Sequence, residues 1–271
     1  MGKLEGKVAF ITGAARGQGR SHAAVLAHEG ADIIAVDSCS QIPTVQYSMA
    51  TPQDFEQTVK DVEAEGRRIV ARHADVRDAA ALRQAFEEGT AELGPVDIVV
   101  ANAGIGPISP EATDKDWRDV LDVNLTGTYN TVRIAMPSMI ERGEGGAIVL
   151  TSSTWGLSGV ATNAPGLLGY VATKHGVIGL MRCWANYLAP YSIRVNCTAS
   201  TGVRTPMIIN DSIPELIARE PGIAAGMTNA LPVDLVEPID VSNAVLWLVS
   251  DDARYVTGIT LPVDAGLLNR P

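Results

Sequence analysis

The sequence predicts an α/β fold in which a doubly wound, seven-stranded parallel sheet lies between two layers of helices. Three observations carry that expectation. Short β-branched runs alternate with helical stretches from end to end, the strands are apolar along their whole length, and a glycine-rich turn joins the first strand to the first helix. Residues 8–12 (Val-Ala-Phe-Ile-Thr) read as strand one and 17–29 as the first helix. Strand two follows at 32–36 and a helix at 52–65, then strand three at 68–73 and a helix at 79–92. Strand four is expected at 96–101, before one helix over 114–141, and strand five at 147–151, before a long helix at 166–188. Residues 193–197 give strand six, 238–250 the last helix and 259–263 strand seven. Right-handed crossovers in such a sheet put the binding crevice at the carboxyl ends of the strands.

No Pro/Ser-rich linker or shift in composition divides the 271 residues, so 1–271 reads as one domain. Two segments break the alternation. Residues 38–51 form a polar insertion after strand two, and 206–232 an apolar stretch interrupted by Gly and Pro, running from Pro206-Met207-Ile208-Ile209 to Ile223-Ala224-Ala225-Gly226-Met227. Loops this long in a compact domain are usually functional or disordered. The second suits a lid over a hydrophobic substrate.

Composition excludes several classes. A net charge of −10 argues against sequence-independent nucleic-acid binding, which needs a basic surface. No apolar run reaches the length of a membrane span, and the chain enters strand one without the parts of a signal peptide. Cys39, Cys183 and Cys197 are widely spaced, without a C-x-x-C; they read as reduced thiols of a cytoplasmic protein. His22, His28, His73 and His175 are scattered, so no metal site is expected.

The chemistry lies in two places. Tyr170 and Lys174 are four residues apart and share one helix face. A phenol beside an ammonium is an acid–base device, because the cation favours phenolate; a drop of about two to three pKa units would be about 3–4 kcal/mol. The turn Gly13-x-x-x-Gly17-x-Gly19 follows a strand and opens a helix, the context in which glycines let backbone approach a pyrophosphate at a helix N-terminus. Asp37, at the end of strand two, can accept both adenosine-ribose hydroxyls and repel a 2′-phosphate, which favours NAD over NADP. Arg16 beside the turn is the counter-signal, able to hold that phosphate.

From residue 7 to 266 the chain resembles the short-chain dehydrogenase/reductase family, a single-domain Rossmann type. Thr12–Gly19, including Gly13, Arg16, Gly17, Gln18 and Gly19, matches its cofactor turn. Asp75-Val76 matches its adenine-contacting pair, and Asn102-Ala103-Gly104 its motif after strand four, with Ala101 where Asn is usual. Asn124, Ser153 (the second of Ser152-Ser153), Tyr170 and Lys174 complete its catalytic set. The resemblance implies that Tyr170 exchanges a proton with the substrate oxygen while hydride moves to or from the nicotinamide. Ser153 orients that oxygen, and Lys174 lowers the Tyr170 pKa and holds the nicotinamide ribose. Asn124, at a helix irregularity, holds a water linking Lys174 to solvent. Val203 and Thr205 resemble the segment that holds the carboxamide.

Two departures stand out. Ser153 and Tyr170 are 17 apart, more than is common in the family, with the excess in 160–165, and Ser200 lies where a proline is usual, which is expected to add local freedom. The insertion resembles the carveol-dehydrogenase-like branch, whose members are described as mycofactocin-linked and as holding NAD so that it exchanges poorly. That resemblance implies a small hydrophobic secondary alcohol or ketone as substrate, terpenoids included, and a redox partner that re-oxidises bound NADH. An NADP-preferring carbonyl reductase and a catalytically idle NAD(H)-binding redox sensor are the alternatives. Trp155 and Leu157 are expected to line the pocket. Tyr129, Val132, Met181 and Trp184 read as exposed apolar residues on helices that the family pairs across a dimer interface, which implies a homotetramer.

Overall fold

Alternating side chains on each strand feed two separate cores. The computed structural model describes residues 2–106, 112–220, 223 and 226–270. In β1 (Val8–Thr12) Phe10 faces one way, against Phe86 edge-to-face at 5.2 Å, while Ala9 and Ile11 face the other. Every strand pairing is parallel: β2 (Asp32–Asp37), β3 (Ile69–His73), β4 (Ile98–Ala101), β5 (Gly146–Thr151), β6 (Ile193–Ser200) and β7 (Thr260–Val263) join β1 in the order β3-β2-β1-β4-β5-β6-β7. The order reverses between β1 and β4, and there a crevice opens at the carboxyl ends.

Helix α1 (Gly17–His28) packs on the last helix, α8 (Pro238–Val249), around a buried polar node. Ser21 Oγ and His22 Nδ1 lie 2.7 and 2.8 Å from Ser242 Oγ, and His22 Nε2 is buried without a partner. Burial pushes the His22 imidazole down to about 3. Helix α2 (Pro52–Ala64) begins in a capping box between Thr51 and Asp54, and α3 (Ala79–Leu93) is capped by the Asp78 carboxylate.

The stretch expected as one helix over 114–141 is three pieces: α4 (Asp114–Val120), a π-helical turn Leu121–Thr126, and α5 (Gly127–Arg142). The π turn contains Asn124, at the helix irregularity that the resemblance implies. Helix α6 (Pro165–Leu188) carries Tyr170 and Lys174. Residues 206–232 contain a short helix, α7 (Ser212–Arg219), that the Gly/Pro punctuation concealed. Of that stretch, Pro221, Gly222, Ala224 and Ala225 lie outside the described residues.

Three expectations are corrected. Val132 on α5 and Met181 and Trp184 on α6 are buried in one core, the latter two within the apolar stripe Val177, Ile178, Met181, Trp184 and Leu188; Tyr129 alone of the four is exposed, stacked on Trp184 at 6.2 Å. Ser200 adds no freedom: it continues β6 and pairs with Val263. Leu157 is 40% exposed and does not line the crevice. Among the described residues, no helix is long and apolar enough to cross a membrane.

Candidate active site

At the strand switch the chain passes so close to itself that side chains do not fit. Gly13 has φ +66°, and a Cβ there would lie 2.8 Å from Ala103 Cα; a Cβ on Gly19 would lie 1.9 Å from the Gly13 carbonyl oxygen. Asn102 locks the turn from β4, its Nδ2 donating to the carbonyls of Thr12 (3.0 Å) and Gly13 (3.2 Å). The cleft so formed has a volume of about 1100 Å³ including its open mouth. Gly13, Arg16, Gly17, Gln18, Gly19, Asp37, Asp75, Val76, Asn102, Ala103, Gly104, Tyr170, Lys174 and Thr205 all line it, so the motifs matched one by one converge in space. Val203 lines the adjoining chamber instead.

The Asp37 carboxylate is held by backbone, accepting from Ala15 N (3.1 Å) and Cys39 N (3.0 Å). Asp75 is gripped by Arg77 through its backbone and guanidinium nitrogens at 2.6–3.0 Å. The Arg16 guanidinium stands over the Tyr47 ring at 5.9 Å, and partial burial lowers its pKa against the raising influence of Tyr47, Asp54 and Asp37.

The insertion is not a surface excursion. Ile42, Val45 and Tyr47 are buried in the same core as Val120 and Val123, and Thr44 Oγ1 donates to Asp119 Oδ2 of α4 at 2.6 Å. Tyr47 Oη accepts from Gly106 N at 3.2 Å, which brings a second phenol beside Tyr170. Burial pushes the Tyr47 phenol up to about 12. Sequence reasoning missed Tyr47, although an aromatic in an otherwise polar insertion was a usable signal.

Three catalytic candidates gather where cleft and chamber meet, Lys174 lining the cleft, Ser153 the chamber and Tyr170 both. Ser152 and Ser153 separate as β5 ends: Ser152 Oγ donates to the Lys174 carbonyl at 2.9 Å, a structural bond, whereas Ser153 hydrogen-bonds Tyr170. Lys174 Nζ donates to the Thr151 carbonyl at 2.8 Å and lies 5.4 Å from the Tyr170 ring centroid. Burial lowers Lys174 to about 8. Tyr170 goes the opposite way from expectation: burial raises its pKa, and only the Ser153 hydrogen bond opposes that. Desolvation disfavours phenolate more than this one hydrogen bond favours it.

The Asn124 side chain has a structural task of its own. Its Oδ1 accepts from Ile105 N (2.8 Å) and its Nδ2 donates to the Ile105 carbonyl (2.9 Å). Both ends are committed, so Asn124 clamps the backbone that runs past Lys174.

Beyond Tyr170 lies an apolar chamber. Trp155 meets Tyr170 edge-to-face at 6.0 Å, and Leu167, Ile213, Leu216 and Met227 complete the walls, with Leu267 from the C-terminal turn. Trp155, Leu167, Ile213, Leu216 and Met227 belong to a small cluster separate from both main cores. Leu267 was missed from sequence, and 206–232 was read as a lid without its helix; the spacing of Ile213, Leu216 and Ile217 is a helical stripe that pattern counting would have found. Gln18, Tyr170, Ser200, Thr205 and Met207 line both the cleft and the chamber. The arrangement joins a dinucleotide-sized, backbone-lined cleft to an apolar chamber through one phenol.

Residues 7–215 match the family model described as short chain dehydrogenase. The chain is 56% identical to an uncharacterized oxidoreductase of Mycobacterium tuberculosis over 98% of both chains. It is 48% identical to (-)-trans-carveol dehydrogenase of Rhodococcus erythropolis, over 98% of this chain and 99% of that one. Among solved structures, carveol dehydrogenase from Mycobacterium avium in complex with NAD superposes with a TM-score of 0.93 at 47% identity, covering all of both chains. With Ser153, Tyr170 and Lys174 gathered at the switch point of a seven-stranded parallel sheet, the chain belongs to the short-chain dehydrogenase family of oxidoreductases.

Proposed function

We propose that this protein, folded as one domain, transfers a hydride between NAD and a small hydrophobic secondary alcohol or ketone, with Tyr170 as general acid and base. The observation that carries the reading is the shared wall. Tyr170 faces the glycine-turn cleft on one side and an apolar chamber on the other, with Ser153 bonded to it.

The cleft fits NAD on three counts. Gly13 and Gly19 make a cradle that a Cβ would fill, Asp37 ends β2 in place to accept ribose hydroxyls, and the M. avium carveol dehydrogenase holds NAD in the same fold. When bound, NAD would accept the hydride of an alcohol, and its reduced form NADH would give one to a ketone. Tyr170 Oη then takes the alcohol proton, or returns it to a ketone, and Ser153 holds the same oxygen. Lys174, one helical turn along, holds the nicotinamide ribose, and the Ser153 hydrogen bond opposes the burial that raises Tyr170. Trp155 and a lid built on α7 keep water from the chamber, whose lining favours a carveol-like terpenoid over a charged substrate.

The test is turnover of small cyclic secondary alcohols by wild type and Tyr170→Phe. The variant is expected to lose about 10²–10⁴-fold in rate while still binding NAD. Unchanged turnover would sink the mechanism; a wild type inert toward every alcohol, with NAD bound, would favour a redox sensor. Tighter binding of NADP than of NAD would favour the carbonyl-reductase alternative.

A second reading concerns where the electrons go, and the buried insertion favours it. Tyr47 on Gly106 and Thr44 on Asp119 fasten 38–51 along the wall of the cleft, from Asp37 toward Tyr170. Such a cover slows cofactor release, which fits a mycofactocin-linked enzyme whose NADH is re-oxidised in place by a redox partner. Turnover with an artificial electron acceptor but not with added NAD supports it; rapid exchange of bound NAD overturns it. Exposed Tyr129, Leu168 and Tyr187 on α5 and α6 suit a cytoplasmic homotetramer, which light scattering at monomer mass would refute.

A further inference from the structure

We infer that Tyr47 is a positioning residue for the reaction, holding through Gly106 the backbone that braces the Tyr170 ring; the inference rests on the hydride-transfer reading above. Gly106 stands beside the catalytic phenol. Its Cβ position lies 3.7 Å from Tyr170 Cε2, the ring carbon next to the one that bears the oxygen, and 3.5 Å from Met207 Sδ. Trp155 meets the same ring edge-to-face at 6.0 Å, and Ser153 hydrogen-bonds its oxygen. A drift of Gly106 therefore changes the space in which the phenol sits.

Two distant elements hold this stretch of backbone. Asn124, in the π turn, takes the N–H and the carbonyl of Ile105. Tyr47 Oη takes the next N–H, that of Gly106, at 3.2 Å. Phenol and glycine are both buried, so water does not stand in for the bond. Tyr47 is itself fixed. Its ring packs in the core with Val120 and Val123, and Gln41 Nε2 donates to the carbonyls of Val45 (2.7 Å) and Ile42 (3.2 Å), tying the insertion to itself. Thr44 anchors the same segment to Asp119. The segment after β2 thus sets a residue after β4, and through it the phenol on α6. A segment that only covered the cleft could be fastened anywhere along its wall; this one is fastened to the residue that touches Tyr170. Without the phenol oxygen the Gly106 N–H is buried with no acceptor, and the chain shifts to find one. Misplacement by about 1 Å can cost about a hundredfold in rate; with Asn124 still on Ile105, a loss of about fivefold is expected.

The test is single turnover on the full chain, kept saturated with NAD and mixed with a cyclic secondary alcohol, the absorbance of NADH being followed. Loading the cofactor beforehand takes its exchange out of the measured step. Tyr47→Phe keeps the buried ring and removes only the acceptor. It is expected to slow hydride transfer about fivefold, with KM for the alcohol within about twofold of wild type. Tyr47→Leu, run beside it so that misfolding of one variant leaves a result, should slow the step at least as much; circular dichroism checks each fold. An unchanged single-turnover rate overturns the inference and leaves Tyr47 to cover the cofactor alone. A raised KM at unchanged rate overturns it too, because the chamber rather than the phenol would have moved. A wild type that binds NAD yet reduces none with any alcohol removes the hydride-transfer reading itself, and the inference with it.

Discussion

On the β1–β4 side the crevice is walled by backbone: glycines pressed on each other, an asparagine donating to two carbonyls, an aspartate held by two amide nitrogens. On the β5–β7 side it is walled by apolar side chains: those from α7 and the segment after Ser153 pack in a cluster apart from the main cores, and the C-terminal turn adds Leu267. The first wall leaves almost no room for change, since moving any piece breaks a close backbone contact. The second can be refilled residue by residue. The cofactor side is therefore built for one ligand, and the substrate side is where relatives of one fold can differ.

Four measurements would break or sharpen this comparison. The largest effect is expected behind the backbone-lined wall, at His22. Its ring titrates near 6.5 when unfolded and near 3 when folded, so above pH 6.5 both states are neutral and nothing is lost. As pH falls below 6.5 the unfolded chain binds a proton that the folded chain refuses, and stability drops until about pH 3 by about 5 kcal/mol. His22→Asn, which can keep the bond to Ser242, should flatten the melting temperature over that window. An unaltered slope would assign acid sensitivity elsewhere.

Next comes Gly19→Ala. Its Cβ would fall on the Gly13 carbonyl, and backbone cannot yield there, so about 3 kcal/mol of stability and at least about a hundredfold of NAD affinity should go. Near-normal binding would mean that the cradle is softer than its contacts suggest. Trp155→Ala, on the apolar wall, should raise KM for a cyclic alcohol about tenfold and leave NAD affinity alone. If NAD affinity fell as well, the two walls would not be independent. The smallest effect belongs to Tyr47→Phe, which removes the acceptor for Gly106 N and should speed NAD release a few-fold, with about 1 kcal/mol of stability lost. Stopped-flow displacement of NAD reads it, and an unchanged rate would detach the insertion from cofactor retention.

Legibility followed the same division. The glycine turn, Asp37, and Tyr170 with Lys174 could be read because each depends on spacing along a few residues; Asn102 came only through the resemblance, and all of them line the cleft. The π turn at Asn124 was implied only through the resemblance. Ser200 was misjudged because its restraint comes from pairing with Val263, far along the chain. Val132, Met181 and Trp184 were taken as exposed because on long apolar helices the composition does not say which face meets the sheet. The Tyr170 pKa was given the wrong direction because a charge four residues away is visible in a sequence, while burial is not.

By itself, then, the sequence determined the strand–helix alternation, the turn that only glycines can make, and the set of groups able to move a proton beside a dinucleotide. These are short-range matters of backbone conformation and residue chemistry. Only the tertiary structure decided that Tyr47 reaches Gly106, that Asn124 spends both ends of its amide on Ile105, that Gln18 Oε1 finds no partner among the described residues, and that Leu267 closes the chamber. Each of these depends on desolvation and on contacts between distant segments, and both arise only once the chain has packed.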